Sequence, residues 1–308
     1  MTLTMTPCRP VALKRYALYK STALPEPKSL PEPKSSPEPK SLEAYPMNAT
    51  RSGTAPRALA AVGRTLAVSL ALLGLWEAVV RFLAIPAYIL PGPLRIGAAM
   101  WDNAGVLVHN AGITLGEMLL GLLSGSALGM GCALLMAGSM TARRALRPVL
   151  LVAQALPVFA IAPLLVIWFG FGLASKIVMA SLIIFFPVAS AFHDGLARTD
   201  QGLIDIARLH GAGPLATLRH IRLPAALPAL ASGLRVATAA APIGAIVGEW
   251  VGASAGLGYL MIYSNARMQT DMVFAALAIL LVVALGLFAI VDRALTRALP
   301  WAPETLAR

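Results

Sequence analysis

From about residue 58 the chain alternates long apolar runs with short polar connections. Six runs can be counted, at 59–83, 111–137, 146–169, 175–192, 227–248 and 273–291. Each is near the roughly 20 residues that a helix needs to cross about 30 Å of hydrocarbon. A membrane barrel would show alternating segments of about ten residues instead. The pattern therefore predicts an all-α fold, a polytopic transmembrane helical bundle of six spans. Pro157, Pro163 and Pro187 fall inside the third and fourth runs. Kinks there are tolerable where neighbouring helices satisfy the freed carbonyls.

The first 46 residues have a different pattern. Residues 24–41 repeat Leu-Pro-Glu-Pro-Lys-Ser, with Ser in place of Leu in the last copy. Proline at alternate positions forbids helix and sheet and favours an extended chain. With no apolar period to bury, residues 1–46 are expected to be a disordered tail. Met47, followed by Arg51, Arg57 and Arg64, reads as a second candidate start. The transmembrane domain is then 47–308.

Composition agrees with the runs. The 308 residues are 58% hydrophobic and 13% charged, against about 25% charged in soluble domains. The net charge of +11 would suggest nucleic acid in a soluble protein. Here the cations fall in alternate connections. Arg51 and Arg57 precede the first run. Arg143, Arg144 and Arg147 lie between the second and third, and Arg198, Arg208, Arg219 and Arg222 between the fourth and fifth. Arg293, Arg297 and Arg308 come after the sixth. The other connections hold Arg95, Lys176 and Arg267. The positive-inside rule places both termini and residues 194–224 in the cytoplasm, with no role in binding nucleic acid. In the second run, Gly121, Gly125 and Gly129 are four apart on one face, which predicts a close helix–helix contact.

The 194–224 connection carries the most specific pattern. It reads Asp205-Ile206-Ala207-Arg208-Leu209-His210-Gly211, nine residues, then Ile221-Arg222-Leu223-Pro224. Residues 203–210 predict a short helix showing Leu203, Ile206, Ala207 and His210 on one side. Gly211 can end it at positive φ, and a second helical piece over 215–223 leads to Pro224. An amphipathic helix–turn–helix of this kind suits a bilayer surface or a groove on another protein.

This pattern resembles the EAA loop of ABC importer permeases: Glu-Ala-Ala, three residues, Gly, nine residues, Ile-x-Leu-Pro. Asp205 stands for Glu and Ile206 for the first Ala, while Ala207, Gly211, Ile221, Leu223 and Pro224 match. The resemblance runs over about 90–301. Leu90-Pro91-Gly92-Pro93 and the stretch from Pro163 to Gly170 are similar to motifs of the nitrate, sulfonate and taurine permease group. Gly248-Glu249-Trp250-Val251-Gly252 through Met261 looks like the permeases of thiamine-precursor pyrimidines, with sulfonate, taurine or nitrate as the alternative substrate. The resemblance implies a type I, MetI-like importer permease fold in a bacterial inner membrane. It also implies a second permease copy, a dimer of ATP-binding subunits and an extracytoplasmic solute-binding protein. Residues 205–211 would be the helix that couples ATP-driven closure to the spans.

No enzyme can be read in this chain. The nearest imitation of a phosphate-binding loop, from Gly170 to Lys176, lacks Gly before and Ser or Thr after the Lys. ATP and Mg would then be bound by the partner subunit, and the chain itself is expected to hold no cofactor, metal or catalytic set. His109, His193, His210 and His220 show no paired metal spacing.

Glu77, Glu117, Arg235 and Glu249 are costly in lipid, so each either lines a path or pairs within the protein. Glu249, Trp250, Gln154 and Glu117 are the candidate path residues. A carboxylate beside an aromatic face would suit a pyrimidine carrying an exocyclic amine. An ion-coupled secondary transporter, which often carries inverted repeats, and a non-transporting membrane protein are the other readings.

Overall fold

The computed structural model describes residues 54–155 and 157–301. The expected tail at 1–46 and the candidate start at Met47 lie outside the described residues. The chain divides into two units, Met1–Ala61 and Val62–Arg308. Of the first, only the opening turns of one helix are described. The second unit carries the remaining elements.

Every regular element among the described residues is helical. The order is α1 (Thr54–Phe82), α2 (Pro93–Asp102), α3 (Ala104–Gly138), α4 (Met140–Ala155), α5 (Val158–Phe169) and α6 (Leu173–Ala197). Then come α7 (Gln201–Leu209), α8 (Pro214–Thr217), a π turn at Leu218–Arg222, α9 (Leu223–Gly252), α10 (Leu257–Ala266) and α11 (Thr270–Ala298). Among the described residues, four stretches are long and apolar enough to cross a membrane: α3, α6, Pro214–Gly252 and α11. The third run is not one straight span. Met140–Gln154 and Val158–Phe169 meet at 104°. Pro157, which has no N–H and opens α5, cannot continue α4. Pro163 and Pro187 stay inside their helices. Counting the bent pair as one, five of the six expected runs qualify. The 59–83 run is helical as α1, but begins at residues whose side chains lie outside the described set.

α6 is the central helix, packed between α3 and α9. Both neighbours reach it through glycine. A Cβ on Gly125 would lie 2.8 Å from Ile184 Cγ2, and one on Gly129 would lie 2.9 Å from the Phe185 carbonyl. On α9, Gly233 and Gly244 come equally close to the backbone at Pro187 and Ala180. The expected close contact of the α3 glycine face is therefore made with α6. Around it, Met118, Ile184, Val188, Phe192, Leu230, Ala237 and Ala241 form a buried apolar core.

The two short helices α2 and α10 were not legible in the apolar pattern. α2 starts on Pro93, and its Leu94 N–H donates to Glu77 Oε2 at 3.2 Å. Glu77 also pairs with Arg81 at 2.7 Å, so it is a structural residue. Arg235 likewise pairs with Asp292 at 2.6 Å.

Candidate functional site

Two constructions occupy opposite ends of the α3–α6–α9 core. The first is the segment joining α6 to α9. Asp200 caps α7, its Oδ1 accepting from Gly202 N–H at 2.7 Å. The helix stops at Gly211, whose φ is +75°. The Ala212 N–H donates to the Ala207 carbonyl and the Gly211 N–H to that of Arg208, both at 2.9 Å. This pairing is the Schellman motif, which favours glycine at the left-handed position. Asp205 is exposed and pairs with Arg208 at 3.2 Å. Ala207 is buried, Ile221 and Leu223 are half-buried, and Pro224 is exposed on the first turn of α9.

The outward face of α7 differs from the expected one. Leu203 and Ile206 are exposed as anticipated, but the third apolar member is Leu209, 86% exposed. Ala207 packs inward, and His210 turns back to donate from Nδ1 to the Ile206 carbonyl at 2.9 Å. Leu215 on α8 is also exposed. Sequence reasoning passed over Arg222, which donates from Nε and Nη2 to the Leu196 carbonyl at 3.2 and 2.9 Å. It thereby ties the segment to the last turn of α6.

The second construction is a buried polar cluster at the other end of the core. Glu117 on α3 and Glu249 on α9 are each 1% exposed, and Lys176 on α6 is 6% exposed. Lys176 Nζ donates to Glu117 Oε1 at 2.6 Å and to the Ala255 carbonyl at 3.5 Å. Glu249 Oε1 accepts from Thr114 Oγ1 at 2.6 Å. Its Oε2 accepts from the N–H groups of Gly258 and Tyr259. Thr114 Oγ1 in turn accepts from Leu257 N–H at 2.9 Å, and Asn110 Oδ1 accepts from Gly256 N–H at 2.7 Å. The free N–H groups at the start of α10 are thus met by side chains of α3 and α9, where a negative charge also suits the helix dipole. Gly256, at φ +115°, passes so close to the Glu249 carboxylate that a Cβ would collide with it.

This cluster changes the reading of several residues. Lys176 is not a cation of a solvent-facing connection, as its place in the sequence suggested. It lies in the first turn of α6, enclosed by protein. Both Glu249 oxygens accept within the chain and the residue is 1% exposed, so a ligand amine does not reach that carboxylate in this conformation. Trp250 is 45% exposed and Gln154 is exposed near the end of α4. The structure therefore joins Glu117 to Glu249 through a shared cluster, and joins neither to Gln154. Among the described residues no group of His, Cys, Asp and Glu could hold a metal ion.

Comparison with known proteins bears on both ends. Residues 125–299 match the family described as binding-protein-dependent transport system inner membrane component. This chain belongs to that family. It is an ABC importer permease by descent. A probable ABC transporter permease of Haemophilus influenzae is 51% identical over 73% of this chain and 92% of its own length. The riboflavin transport permease RibX of Chloroflexus aurantiacus is 36% identical, over 70% of this chain and 82% of its own. The formylaminopyrimidine transport permease ThiX of Halalkalibacterium halodurans is 34% identical, over 75% and 93%. Weaker matches include permeases named for aliphatic sulfonates and taurine. In fold, the permease is similar to a chain of the MetNI methionine ABC transporter, with a TM-score of 0.56 at 21% identity, covering 64% of this chain and 97% of that one. The MetI-like fold expected from the EAA-like loop is thereby shown. The permeases of this family carry no catalytic machinery of their own.

Proposed function

We propose that this permease is one half of an inner-membrane importer that takes up a thiamine-precursor pyrimidine by alternating access. Two copies of the chain would pair, each served by an ATP-binding subunit, with an extracytoplasmic solute-binding protein delivering the solute. Both termini and residues 194–224 face the cytoplasm in this reading, which the arginine distribution supports. ATP and Mg belong to the partner subunit.

The observation that carries the reading is α7. A short helix, capped at both ends, presents Leu203, Ile206 and Leu209 to the outside. The turns after it run directly into the span α9. An exposed apolar helix face on a loop suits a groove in a partner. Differential contact there with the open and closed ATP-binding subunits would bias the two states of the permease. Charge reversal at Asp205, or Gly211→Pro, should uncouple ATP hydrolysis from transport while the permease stays in the membrane. Normal transport in both variants would sink the coupling role.

The substrate class rests on the stretch from Gly248 to Met261 and on similarity to the formylaminopyrimidine permease. Trp250, exposed beside the closed Glu249 cluster, and Gln154 are the path residues proposed. Glu117 and Glu249 act by shaping the 253–258 loop next to that path. Sulfonate, taurine or nitrate is the alternative. Uptake of radiolabelled aminomethylpyrimidine should be competed by unlabelled hydroxymethylpyrimidine and not by taurine or riboflavin. Competition by taurine alone would replace the pyrimidine assignment. Uptake that persists without ATP and collapses with the proton gradient would replace the importer mechanism itself.

A further inference from the structure

Both ends of α6 are tied by a cationic side chain, and in the proposed importer the two ties lie on opposite sides of the membrane. At the coupling end, Arg222 holds the Leu196 carbonyl through two donors. Thr199 Oγ1 donates to the same carbonyl at 3.3 Å. Twenty residues earlier, Lys176 holds Glu117 and the Ala255 carbonyl. Twenty residues of α-helix span about 30 Å. Between these points α6 is gripped on both flanks by glycine contacts with α3 and α9.

We propose that α6 is the strut that carries displacement of the coupling segment to the 253–256 loop at the far side of the membrane, with Arg222 and Lys176 as its positioning residues. The inference rests on the coupling role assigned to α7.

Three features support it. Helices in backbone-close contact cannot slide past one another without collision, so the packed unit switches between discrete arrangements rather than deforming smoothly. The second half of the 253–256 loop is tied down. Its Gly256 N–H is held by Asn110, its Ala255 carbonyl by Lys176, and Gly256 is pressed against Glu249. Finally, a buried ion pair is weak as a source of stability compared with apolar packing. What it supplies is direction: Lys176 ties one specific carboxylate and one specific carbonyl to the end of α6.

The test needs no knowledge of the solute. Cys8 and Cys132 are replaced by Ala, and Ser254→Cys places a thiol on an exposed position of the loop. The full transporter is reconstituted in vesicles with its ATP-binding subunits and binding protein. A membrane-impermeant maleimide then labels it without nucleotide and after trapping with ATP and vanadate. The labelling rate should differ between the two states by about fivefold or more, in the range of ordinary allosteric coupling. Lys176→Met combined with Glu117→Gln removes both members of the ion pair together, leaving Glu249 its own donors. This pair of changes should abolish the difference while ATP hydrolysis continues. Arg222→Met should do the same from the other end, with Arg222→Lys restoring part of it.

If those variants keep the difference, whatever their expression level, the residues are merely structural and the strut is overturned. No difference in the otherwise native chain overturns it as well. Loss of the difference in Gly211→Pro but not in the strut variants leaves the coupling role standing and removes the strut. Retention of the difference in Gly211→Pro removes the coupling role itself.

Discussion

Lys176 on α6 donates to Glu117 on α3 across 2.6 Å, at a point where neither side chain is more than 7% exposed. Of the two carboxylates in the cluster, only Glu117 pairs with this ammonium, while Glu249 is held by Thr114 and the N–H groups of Gly258 and Tyr259. Removing the ammonium alone leaves Glu117 buried without its partner. Lys176→Met should therefore destabilise the permease by about 3–5 kcal/mol, the usual cost of orphaning one member of a buried pair. Adding Glu117→Gln should recover most of that loss, since the amide carries no charge to desolvate. Thermal unfolding in detergent measures both. A single variant as stable as the parent would show that water or another group reaches Glu117.

The glycines of α3 divide into two classes by what surrounds them. Gly125 and Gly129 face α6, where an added methyl would meet Ile184 and the Ser181 carbonyl, or the Phe185 carbonyl and Ala189 nitrogen, at 3.0 Å or less. Gly112, Gly116 and Gly131 have nothing within 4 Å. Gly129→Val should force α3 off α6, because backbone atoms cannot turn aside as a flexible side chain can. Gly131→Ala should be neutral or slightly favourable, as Ala is a better helix former by about 0.8–1.0 kcal/mol. Size-exclusion profiles and limited proteolysis of the two variants should separate sharply. Equal behaviour would mean that the α3–α6 contact is not close in the membrane.

At Gly211 the requirement is conformational rather than steric. An added Cβ would meet nothing within 4 Å, yet φ is +75°. Gly211→Ala should cost about 1–2 kcal/mol, the penalty of the left-handed region for a residue with Cβ. Gly211→Asn should cost less, since Asn visits that region more readily. The expected readout is faster hydrogen exchange of the α7 amides in the Ala variant and near-native exchange in the Asn variant. Equal exchange in the two would show that the helix end is not held by the Schellman pairing.

Five of the six spans and the helix–turn–helix at 201–223 were legible because each depends on a local pattern. Twenty apolar residues, or Asp-x-Ala followed by Gly211 and Ile-x-Leu-Pro, sit in consecutive stretches that periodicity can read. The bend at Pro157 was flagged as a kink, and became a full break because the proline opens the next helix instead of sitting inside one. The polar cluster was not legible. Asn110, Thr114, Lys176 and Glu249 come from three helices separated by more than 60 residues. Asn110, Thr114 and Lys176 read alone as ordinary polar residues near the ends of apolar runs, and Glu249, singled out as a path candidate, carries no local sign of these partners. One signal was available: Lys176 and Glu117 are ionisable residues of opposite sign close to apolar runs, and such residues seek each other. The short helix α10 escaped for a related reason. Its N-terminus is capped by Asn110 and Thr114 of α3 and by Glu249 of α9, not by a residue of its own loop.

Leu209 offers the most direct check on what covers α7. It is exposed on the outward face beside Ile206 and Leu203, and touches nothing that the fold of this chain needs. Leu209→Asp should therefore leave membrane insertion and thermal stability within about 0.5 kcal/mol of the parent, as exposed substitutions usually do. The same change would place a charge in the middle of an apolar contact if α7 enters a groove on the ATP-binding subunit. Burying that charge without a partner is expensive, so co-purification of the ATP-binding subunit should fall at least tenfold, a loss of about 1.4 kcal/mol or more in binding. Leu209→Met, which keeps the apolar volume, should retain association. If Leu209→Asp binds the subunit as well as the parent, the outward face of α7 is not the contact, and the docking surface lies on the far side of Gly211.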